Sequence, residues 1–395
     1  MKKIADIALL LCLAAVLFAV PALTLVKTAH NTVSYYENRS LTEQPELTAE
    51  NFWSGEYFND WDAWYADHVP GRTTLLALGT AIQMDIMGKT VVNDVIVTQD
   101  VLLPFLRYGT WDTGIYTDKA VPIADGLQCL SDYVEGYGGT FLFVGLPEQS
   151  NYFWDKYPHE LDNRRWNATA ADAAFYGALE ERDVPYLDMG AVYDREGRPD
   201  EYYSSVDHHF TYYGAFAAYQ AVMDELNRTG INAPVLSKSD LNFRELPNPY
   251  LGSRNRKLYD LWPNSEHAVI AEPKSPIPFT RTDNGQTVEA TVYVLPATNT
   301  QRTNYDLYMG GDQAETVIET NRPDLPDVLI VGDSFTDALE TLFYASFDEM
   351  RSLDLRYYTE KTLPEYLADY HPDVVLCVRD DTAFYTATGN GAVWN

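Results

Sequence analysis

The sequence is poor in cysteine and in basic residues. Its three cysteines, Cys12, Cys129 and Cys377, are too few for a disulfide framework, and cysteines in apolar segments are usually inert core residues, so a catalytic thiol is a minor alternative. The 28 lysines and arginines are outnumbered by 58 aspartates and glutamates, which gives a net charge of −30. Nucleic-acid binding needs a basic face, so this balance excludes nucleic acid as a partner. Neutral glycans and small acyl donors are easier partners for such a chain than polyanions.

Long apolar runs are also few, but one stands at the N-terminus. Lys2 and Lys3 precede an uncharged segment, residues 7–26, which is long enough to span a bilayer. The lysines predict a cytoplasmic start at residues 1–6, a signal anchor at 7–26 and a body outside the cell membrane. The alternative is a signal peptide that is cleaved, which would leave a secreted protein.

The rest of the chain predicts a polar stalk at residues 27–50 and one large α/β domain at 51–395. Helical spacing of aromatic residues at 52–78, broken at Pro70 and Gly71, predicts a helical cap region, and 91–97 predicts a strand or hairpin. Residues 241–321 are rich in Pro, Asn and Gly with short alternating runs, such as 287–294, which favour a β-rich insertion made of hairpins.

Outside the insertion, helical and strand-like segments alternate, which indicates a parallel sheet with helices on both faces. Thr211 is a predicted N-cap, and Thr362 with Glu365 forms a predicted capping box. The predicted helices are 120–137, 168–182, 211–226, 336–344 and 362–370. The predicted strands are 140–144, 185–189, 328–331, 352–357 and 374–378.

Ser334 follows the apolar strand 328–331 and precedes a helix. In a parallel sheet this position lies at the mouth of the fold, where the helix N-terminus offers N–H groups to a developing oxyanion. The pattern therefore favours a nucleophilic serine, with a helix N-cap as the alternative.

A serine nucleophile needs a base, and the sequence around Asp207, His208 and His209 offers one. In an extended loop, residues i and i+2 point the same way, so Asp207 is expected to orient His209 while His208 faces elsewhere. The alternatives are a helix cap with two ordinary loop histidines, or a metal site, for which three adjacent ligands give strained geometry.

Four short motifs together resemble the DHHW family of cell-envelope proteins, which is related to the SGNH hydrolase-like acetylation proteins AlgX and AlgJ. They occur in order along most of the body of the chain: Glu37–Arg39, Asp67–Arg72, Asp207–Phe210 and Gly332–Phe335. Phe210 stands where the family name has a tryptophan, which keeps an aromatic ring for packing.

The resemblance implies an SGNH hydrolase-like, flavodoxin-like sheet whose Asp-x-His element precedes the serine, as in a circular permutation. It implies a catalytic triad of Ser334, His209 and Asp207, with Asp333 structural and no cofactor or metal.

Further oxyanion or substrate candidates are less well defined by the sequence. Gly310 and Gly311 precede the serine strand and suit a close backbone approach, or simply a hairpin turn. Arg379 and Asp380 end the last predicted strand, where a ligand would lie, or form a surface ion pair. His208 completes the candidate set.

These residues and the resemblance imply acyl transfer through an acyl-Ser334 intermediate, with O-acetylation of a cell-surface or exported polysaccharide as the expected activity. The expected partners are the polysaccharide or another acyl ester, a membrane O-acyltransferase as acyl donor, and the membrane itself through the N-terminal helix. The alternatives are a carbohydrate esterase, a non-catalytic glycan-binding or assembly protein, and a peptidase or other serine hydrolase.

Overall fold

A computed structural model describes residues 2–106 and 112–394. The chain divides into two compact units. The first comprises residues 1–97 and 255–263, and the second comprises residues 98–254 and 264–395.

The first unit begins with an apolar helix, and its residues Asp6–Thr28 are long and apolar enough to cross a membrane. That property fits a membrane anchor or a signal sequence equally well. Thr24 is fully buried, and the Thr28 hydroxyl donates to the carbonyl oxygen of His68, so the end of the apolar stretch packs on the helix that ends at His68. The helices are α1 (Lys2–Leu23), α2 (Ala49–Ser54), α3 (Glu56–His68) and α4 (Arg72–Ala81). The strands are β1 (Val33–Ser34), β2 (Arg39–Ser40), β3 (Val91–Val92) and β4 (Val95–Val97).

Local sequence explains the breaks in this unit. Gly71, with φ +78°, separates α3 from α4, as the predicted break at Pro70 and Gly71 required. Asn93 and Asp94 both have positive φ and join β3 to β4, so residues 91–97 form an antiparallel hairpin. The motif residue Arg39 donates to both oxygens of Asp67, at 2.8 and 2.6 Å, which ties the predicted stalk to α3.

The second unit is built around an eight-stranded sheet. The strands of the whole unit, eight of which form this sheet, are β5 (Leu102–Pro104), β6 (Thr140–Leu146), β7 (Tyr186–Asp188), β8 (Leu241–Pro249), β9 (His267–Pro273), β10 (Thr280–Asp283), β11 (Gln286–Thr287), β12 (Glu315–Glu319), β13 (Val328–Val331), β14 (Glu349–Leu353) and β15 (Val374–Asp380). Its helices are α5 (Ile115–Gly136), α6 (Gln149–Tyr152), α7 (Arg165–Glu180), α8 (Met189–Arg195), α9 (Tyr212–Arg228), α11 (Asp337–Phe343) and α12 (Leu363–Asp369), and it also contains the first two residues of α10 (Ser253–Lys257).

The sheet has the order β11-β10-β12-β14-β13-β15-β6-β7. The five strands from β14 to β7 pair in parallel, and helices cover both faces, with α5 on one face of β6 and α9 on the other. The predicted parallel α/β sheet is therefore confirmed for its central strands. It is corrected at one edge, where β12, β10 and β11 add antiparallel strands and make the sheet mixed.

The β-rich character of residues 241–321 is confirmed, but two details were wrong. Strands β10 and β11 do form a hairpin, but together with β12 they extend the main sheet, while β8 pairs with β9 alone. Of residues 287–294, Thr287 lies in a strand, and Tyr293 makes an isolated bridge with Tyr308.

The predicted strand 352–357 was also placed too late. Strand β14 runs from Glu349 to Leu353, and the Asp354 carboxylate then accepts from the Arg356 backbone N–H at 2.9 Å, which turns the chain. Helix α8 was not predicted from the sequence. It begins where the Asp188 side chain accepts from the Ala191 N–H at 3.0 Å.

Candidate active site

Ser334 lies in the turn between β13 and α11. Asp333 shapes this turn, because its side chain accepts from the Phe335 N–H at 3.1 Å and its carbonyl accepts from the Thr336 N–H at 2.8 Å. A Cβ on Gly332 would lie 2.3 Å from Thr336 Cγ2, so only glycine fits there. The N-cap of α11 is Thr336, so Ser334 is not the helix cap that the sequence offered as the alternative.

His209 bridges a carboxylate and the serine. Its Nδ1 lies 2.9 Å from Asp207 Oδ1, and its Nε2 lies 2.8 Å from Ser334 Oγ. The residue is 4% exposed, and its ring stacks on the Tyr305 ring at 3.8 Å, nearly parallel. This packing fixes the ring plane, and Asp207 fixes which nitrogen carries the proton toward the carboxylate.

His208 does not face away from the site, contrary to the i, i+2 argument. Its Nδ1 lies 3.0 Å from the same Asp207 oxygen and 2.8 Å from Ser253 Oγ, and the two histidine rings are 3.8 Å apart. The physical reason is that Asp207 also accepts from the His208 backbone N–H at 2.6 Å, so the chain curls around this carboxylate instead of remaining extended.

Asp207 is buried and surrounded by donors. Its second oxygen accepts from the Ser253 backbone N–H at 2.8 Å and from the Tyr250 hydroxyl at 3.4 Å. Burial alone would raise the pKa of Asp207, but hydrogen bonds from His208 and His209 hold it well below its usual range. The carboxylate is therefore charged at every physiological pH.

The two histidines are shifted in opposite directions. Burial and the neighbouring charge of His208 lower the pKa of His209 to about 4. Burial also opposes the charged form of His208, but the hydrogen bond and charge of Asp207 outweigh it and raise the pKa of His208. At neutral pH His209 is thus an unprotonated imidazole beside the serine hydroxyl, which is the state a general base requires.

The metal alternative concerns the same residues. Asp207, His208 and His209 offer ligand atoms within 4.8 Å of one another. However, both Nδ1 atoms point at one carboxylate oxygen, which is the geometry of two N–H donors sharing an acceptor, and His209 Nε2 is occupied by Ser334. A metal would need those nitrogens as lone-pair donors, so the arrangement fits hydrogen bonding better than coordination.

The two glycines lie in a tight turn before β12. Gly310 and Gly311 have φ of +84° and +83°, and the Gly311 N–H donates to the Tyr308 carbonyl at 3.1 Å. Gly311 reaches a narrow cavity beside Gly332 and Asp333. Among the described residues, the structure shows no hydrogen bond between either glycine and Ser334.

Arg379 is 1% exposed and Asp380 is 7% exposed, so the surface ion pair considered from the sequence is wrong. The Arg379 Nη2 donates to the carbonyl oxygens of Ala383 and Thr386, the latter at 3.0 Å. Arg379, Asp380 and Asp333 line a cavity of about 590 Å³ at the carboxyl ends of β13 and β15.

Several site residues were missed by the sequence reasoning. Ser253, Tyr250 and Tyr305 come from the β-rich segment and contact Asp207 or His209. Their local sequence did not predict a place in the site, because none of them lies in a periodic segment from which a buried face can be predicted.

Comparison with known proteins supports the fold. Residues 123–261, which include Asp207 and His209 but not Ser334, match the family model of the SGNH hydrolase-like domain of the acetyltransferase AlgX. PatB1 of Bacillus cereus, also solved with a sulfonyl adduct, is 24% identical over 73% of this chain and 96% of its own, with a TM-score of 0.62. A DHHW family protein of Eubacterium siraeum is 18% identical over 75% of this chain and 93% of its own, with a TM-score of 0.54.

No curated protein sequence matches the chain. The resemblance to the DHHW family and to AlgX, and with it the SGNH-like fold, is confirmed.

Proposed function

We propose that this protein transfers acyl groups, most simply acetyl, through an ester formed on Ser334. The observation that carries the proposal is the continuous hydrogen-bonded path from Asp207 through His209 to the Ser334 hydroxyl. A buried carboxylate, an unprotonated imidazole and a hydroxyl at the end of a parallel strand are the parts that nucleophilic acyl chemistry needs. The AlgX description of the matching family model points to the same chemistry.

In the first half-reaction, Ser334 Oγ attacks the carbonyl carbon of an acyl ester while His209 Nε2 takes the hydroxyl proton. Asp207 stabilises the imidazolium that forms, and the Ser334 backbone N–H donates to the oxyanion. The tetrahedral intermediate collapses, the donor's C–O bond breaks, and His209 returns the proton to the departing alcohol.

In the second half-reaction, His209 removes a proton from an acceptor hydroxyl, which attacks the acyl-Ser334 carbonyl. The Ser334 C–O bond then breaks, and His209 reprotonates the serine. A sugar hydroxyl as acceptor makes the protein a polysaccharide O-acetyltransferase, and water makes it an esterase.

The location we propose is the outer side of the cell membrane, with Asp6–Thr28 as the anchor. Burial of Thr24 and the contact between Thr28 and His68 favour an anchor that stays attached. An extracytoplasmic domain has no access to cytoplasmic acyl donors, so a membrane O-acyltransferase is the partner that would deliver the acyl group.

The test uses the full chain in detergent with a chromogenic acetyl ester. Wild type is expected to release acetate, and Ser334→Ala to lower the rate by about 10³-fold or more. Ser239→Ala, at an exposed serine just before β8, is the matched control and keeps the wild-type rate. Equal acetate release by wild type and Ser334→Ala would refute the assignment.

A second measurement tests directly whether Ser334 is an activated nucleophile. A sulfonyl fluoride reacts with an activated serine hydroxyl by losing fluoride and leaving a sulfonyl ester. Peptide mass spectrometry is expected to find this ester on Ser334 in wild type and to find no label there in His209→Ala, since that variant lacks the base. Labelling that is unchanged by His209→Ala contradicts the proposed activation.

A further inference from the structure

One face of α4 is apolar and exposed. Four large aliphatic residues recur at helical spacing along α4 and along the helical turn that continues it, Ile82–Ile86, so they share one face. These residues, the α4 stripe, are Leu75, Leu78, Ile82 and Ile86, which are 62%, 56%, 39% and 78% exposed. A surface helix normally turns polar side chains to water, so a stripe of this kind marks a contact surface.

The opposite face of α4 is packed inside the first unit. Thr80 is buried, and its hydroxyl accepts from the Asn93 amide at 3.0 Å, which joins α4 to the hairpin of β3 and β4. No charged residue lies between Arg72 and Asp85. The helix therefore has no charged face to turn to water, which is typical of a helix that contacts a membrane or another protein.

The end of the membrane-length segment is fixed beside the start of α4. The Thr28 hydroxyl donates to the His68 carbonyl, and His68 Nε2 lies 3.0 Å from the Asn31 carbonyl oxygen. The His68 ring is buried and stacks on the Trp64 ring at 4.5 Å. Helix α4 begins at Arg72, and the short link from His68 reaches about 14 Å at most. The stripe therefore starts close to the point where the segment would leave a bilayer.

The first two motifs of the resemblance, which take no part in the proposed catalysis, hold the start of α4 in this place. Arg72 Nη2 donates to Glu37 Oε1 at 3.0 Å, and Arg39 donates to both oxygens of Asp67. These charge-assisted bonds join the chain that follows the apolar segment to the end of α3 and to the first turn of α4. They fix the stripe relative to the end of the segment.

We propose that the α4 stripe lies in the outer surface of the lipid bilayer, as a second membrane contact beside the N-terminal segment. Lipid is the occupant because the stripe starts at the end of a segment that is itself long and apolar enough to cross a membrane. The helix and its continuation are about 22 Å long at 1.5 Å per residue, too short to cross the hydrocarbon core, so they lie along its surface. This inference rests on the proposed location of the protein and is independent of acyl transfer.

The test measures contact between lipid and single labelled positions in the full chain. The protein is reconstituted in phosphatidylcholine vesicles that carry a nitroxide quencher either near the top of the acyl chain or deep within it. Cys12 and Cys129 are replaced by serine, while Cys377, which is fully buried, is kept. One introduced cysteine then carries the fluorophore NBD, and melting curves confirm that each labelled protein is folded.

Two label positions lie on the stripe, Leu78→Cys and Ile86→Cys, and Ser239→Cys, at an exposed serine of the second unit, is the matched control. We expect lipid nitroxides to quench the stripe labels at least about 2-fold more than the control, and the shallow nitroxide to act more strongly than the deep one, because the apolar face of an interfacial helix enters only the upper acyl region. Phe18→Cys reports separately on the N-terminal segment and should be quenched best by the deep nitroxide.

Two pairs of substitutions tie the lipid contact to the stripe. Leu75→Asp with Leu78→Asp places charges on the stripe, so quenching of the Ile86 label should fall to the level of the control position. Thr73→Asp with Thr74→Asp adds the same charges at exposed positions of α4 outside the stripe and should leave the quenching unchanged.

Three results overturn the inference. The first is quenching of both stripe labels at the level of Ser239. The second is a shift of NBD emission to shorter wavelength without lipid quenching, since that shows a protein partner or a second copy on the stripe. The third is equal quenching of the Ile86 label after both pairs of substitutions. Failure of the proposed anchor appears separately, as an unquenched Phe18 label, and failure of acyl transfer does not affect measurements made without substrate.

Discussion

His208 sets the electrostatic environment of His209. The two rings are 3.8 Å apart and share Asp207, so a charge on one disfavours a charge on the other. The pKa of His208 is raised by Asp207, whereas burial and His208 together lower that of His209 to about 4. The doublet therefore keeps the serine's base unprotonated down to acidic pH.

The acid limb of the pH–rate profile depends on this pair. We expect kcat/KM for an acetyl ester to stay level down to about pH 5 and to fall with a midpoint near pH 4, the pKa of His209. His208→Gln removes the neighbouring positive charge, so the pKa of His209 should rise and the acid limb should move to higher pH. His159→Gln, an exposed histidine elsewhere, is the control and leaves the limb in place. A limb that stays or moves to lower pH in His208→Gln contradicts the coupling.

Asp207→Asn tests the other side of His209. An amide cannot stabilise the imidazolium and favours the wrong tautomer, so kcat should fall by about 10²–10⁴-fold with KM little changed. Asp194→Asn, a partly exposed aspartate on α8, serves as the control and keeps kcat. Retention of kcat within about 2-fold in Asp207→Asn would mean that the carboxylate only supports the loop.

Sequence reasoning reached Ser334, His209 and Asp207 because each lies in a short local pattern. A serine that ends an apolar strand and an imidazole two residues from a carboxylate are visible without tertiary information. Ser253, Tyr250 and Tyr305 were not predictable, because they approach the site through irregular backbone far along the chain. His208 was misplaced because a local turn overrode the alternation of an extended chain.

At the level of elements, the sequence correctly predicted features with strong local signals, but it did not predict which strands pair with each other. The capping box at Thr362 is present, with Thr362 and Glu365 exchanging hydrogen bonds. Strand β14 was predicted three residues late because two of its first three residues, Glu349 and Arg351, are charged. Arg351 covers the Tyr370 ring at 3.8 Å and bonds to Glu349. The antiparallel edge was missed because an alternating run shows that a strand forms but not which strand it pairs with.

The capping box gives an element-scale prediction. Thr362→Ala removes the acceptor for the Glu365 N–H, so the free energy of unfolding should fall by about 1 kcal/mol. Thr359→Ala, three residues earlier and exposed, is the control and should change stability by less than about 0.5 kcal/mol. Urea denaturation followed by circular dichroism measures both, and ester cleavage should be unchanged, since α12 contributes no residue to the site. Equal midpoints for the two variants would show that the cap contributes nothing.

On the scale of the whole molecule, the protein has many acidic side chains, and burial of some of them raises the pKa of their carboxyls. The chain has a net charge of −30, and several of its carboxyls are buried or partly buried in pairs, since Asp172 and Asp381 line one cavity and Asp333 and Asp380 line another. Burial and Asp188 raise the pKa of Asp172 to about 7, burial and Asp380 raise that of Asp333 to about 6, and burial raises those of Asp337 and Asp381 well above their usual range. Each of these groups takes up protons on folding.

The sign of the resulting pH dependence follows from linkage. A carboxyl whose pKa is higher in the folded state contributes stability that is complete below about pH 4, the unfolded pKa, and is lost as pH rises through the folded value. Asp207 and Asp67, whose pKa values are lowered by hydrogen bonds, act in the opposite sense and remove stability only below about pH 4, the unfolded pKa. His209, whose pKa is lowered from 6.5 to about 4 mainly by burial, removes stability as pH falls through that range.

We therefore expect the melting temperature of the full chain to be highest near pH 5 and to fall between pH 5 and pH 8. Added salt should raise it most at pH 8, where self-repulsion of the net negative charge is largest. Differential scanning calorimetry at a series of pH values measures this, and Asp172→Asn isolates one contribution: it should raise the melting temperature at pH 8 and change it little at pH 5. A melting temperature that rises steadily from pH 5 to pH 8 would contradict this prediction. It would mean that the buried carboxyls are charged and hydrogen-bonded in the folded protein, so that their pKa values are not raised.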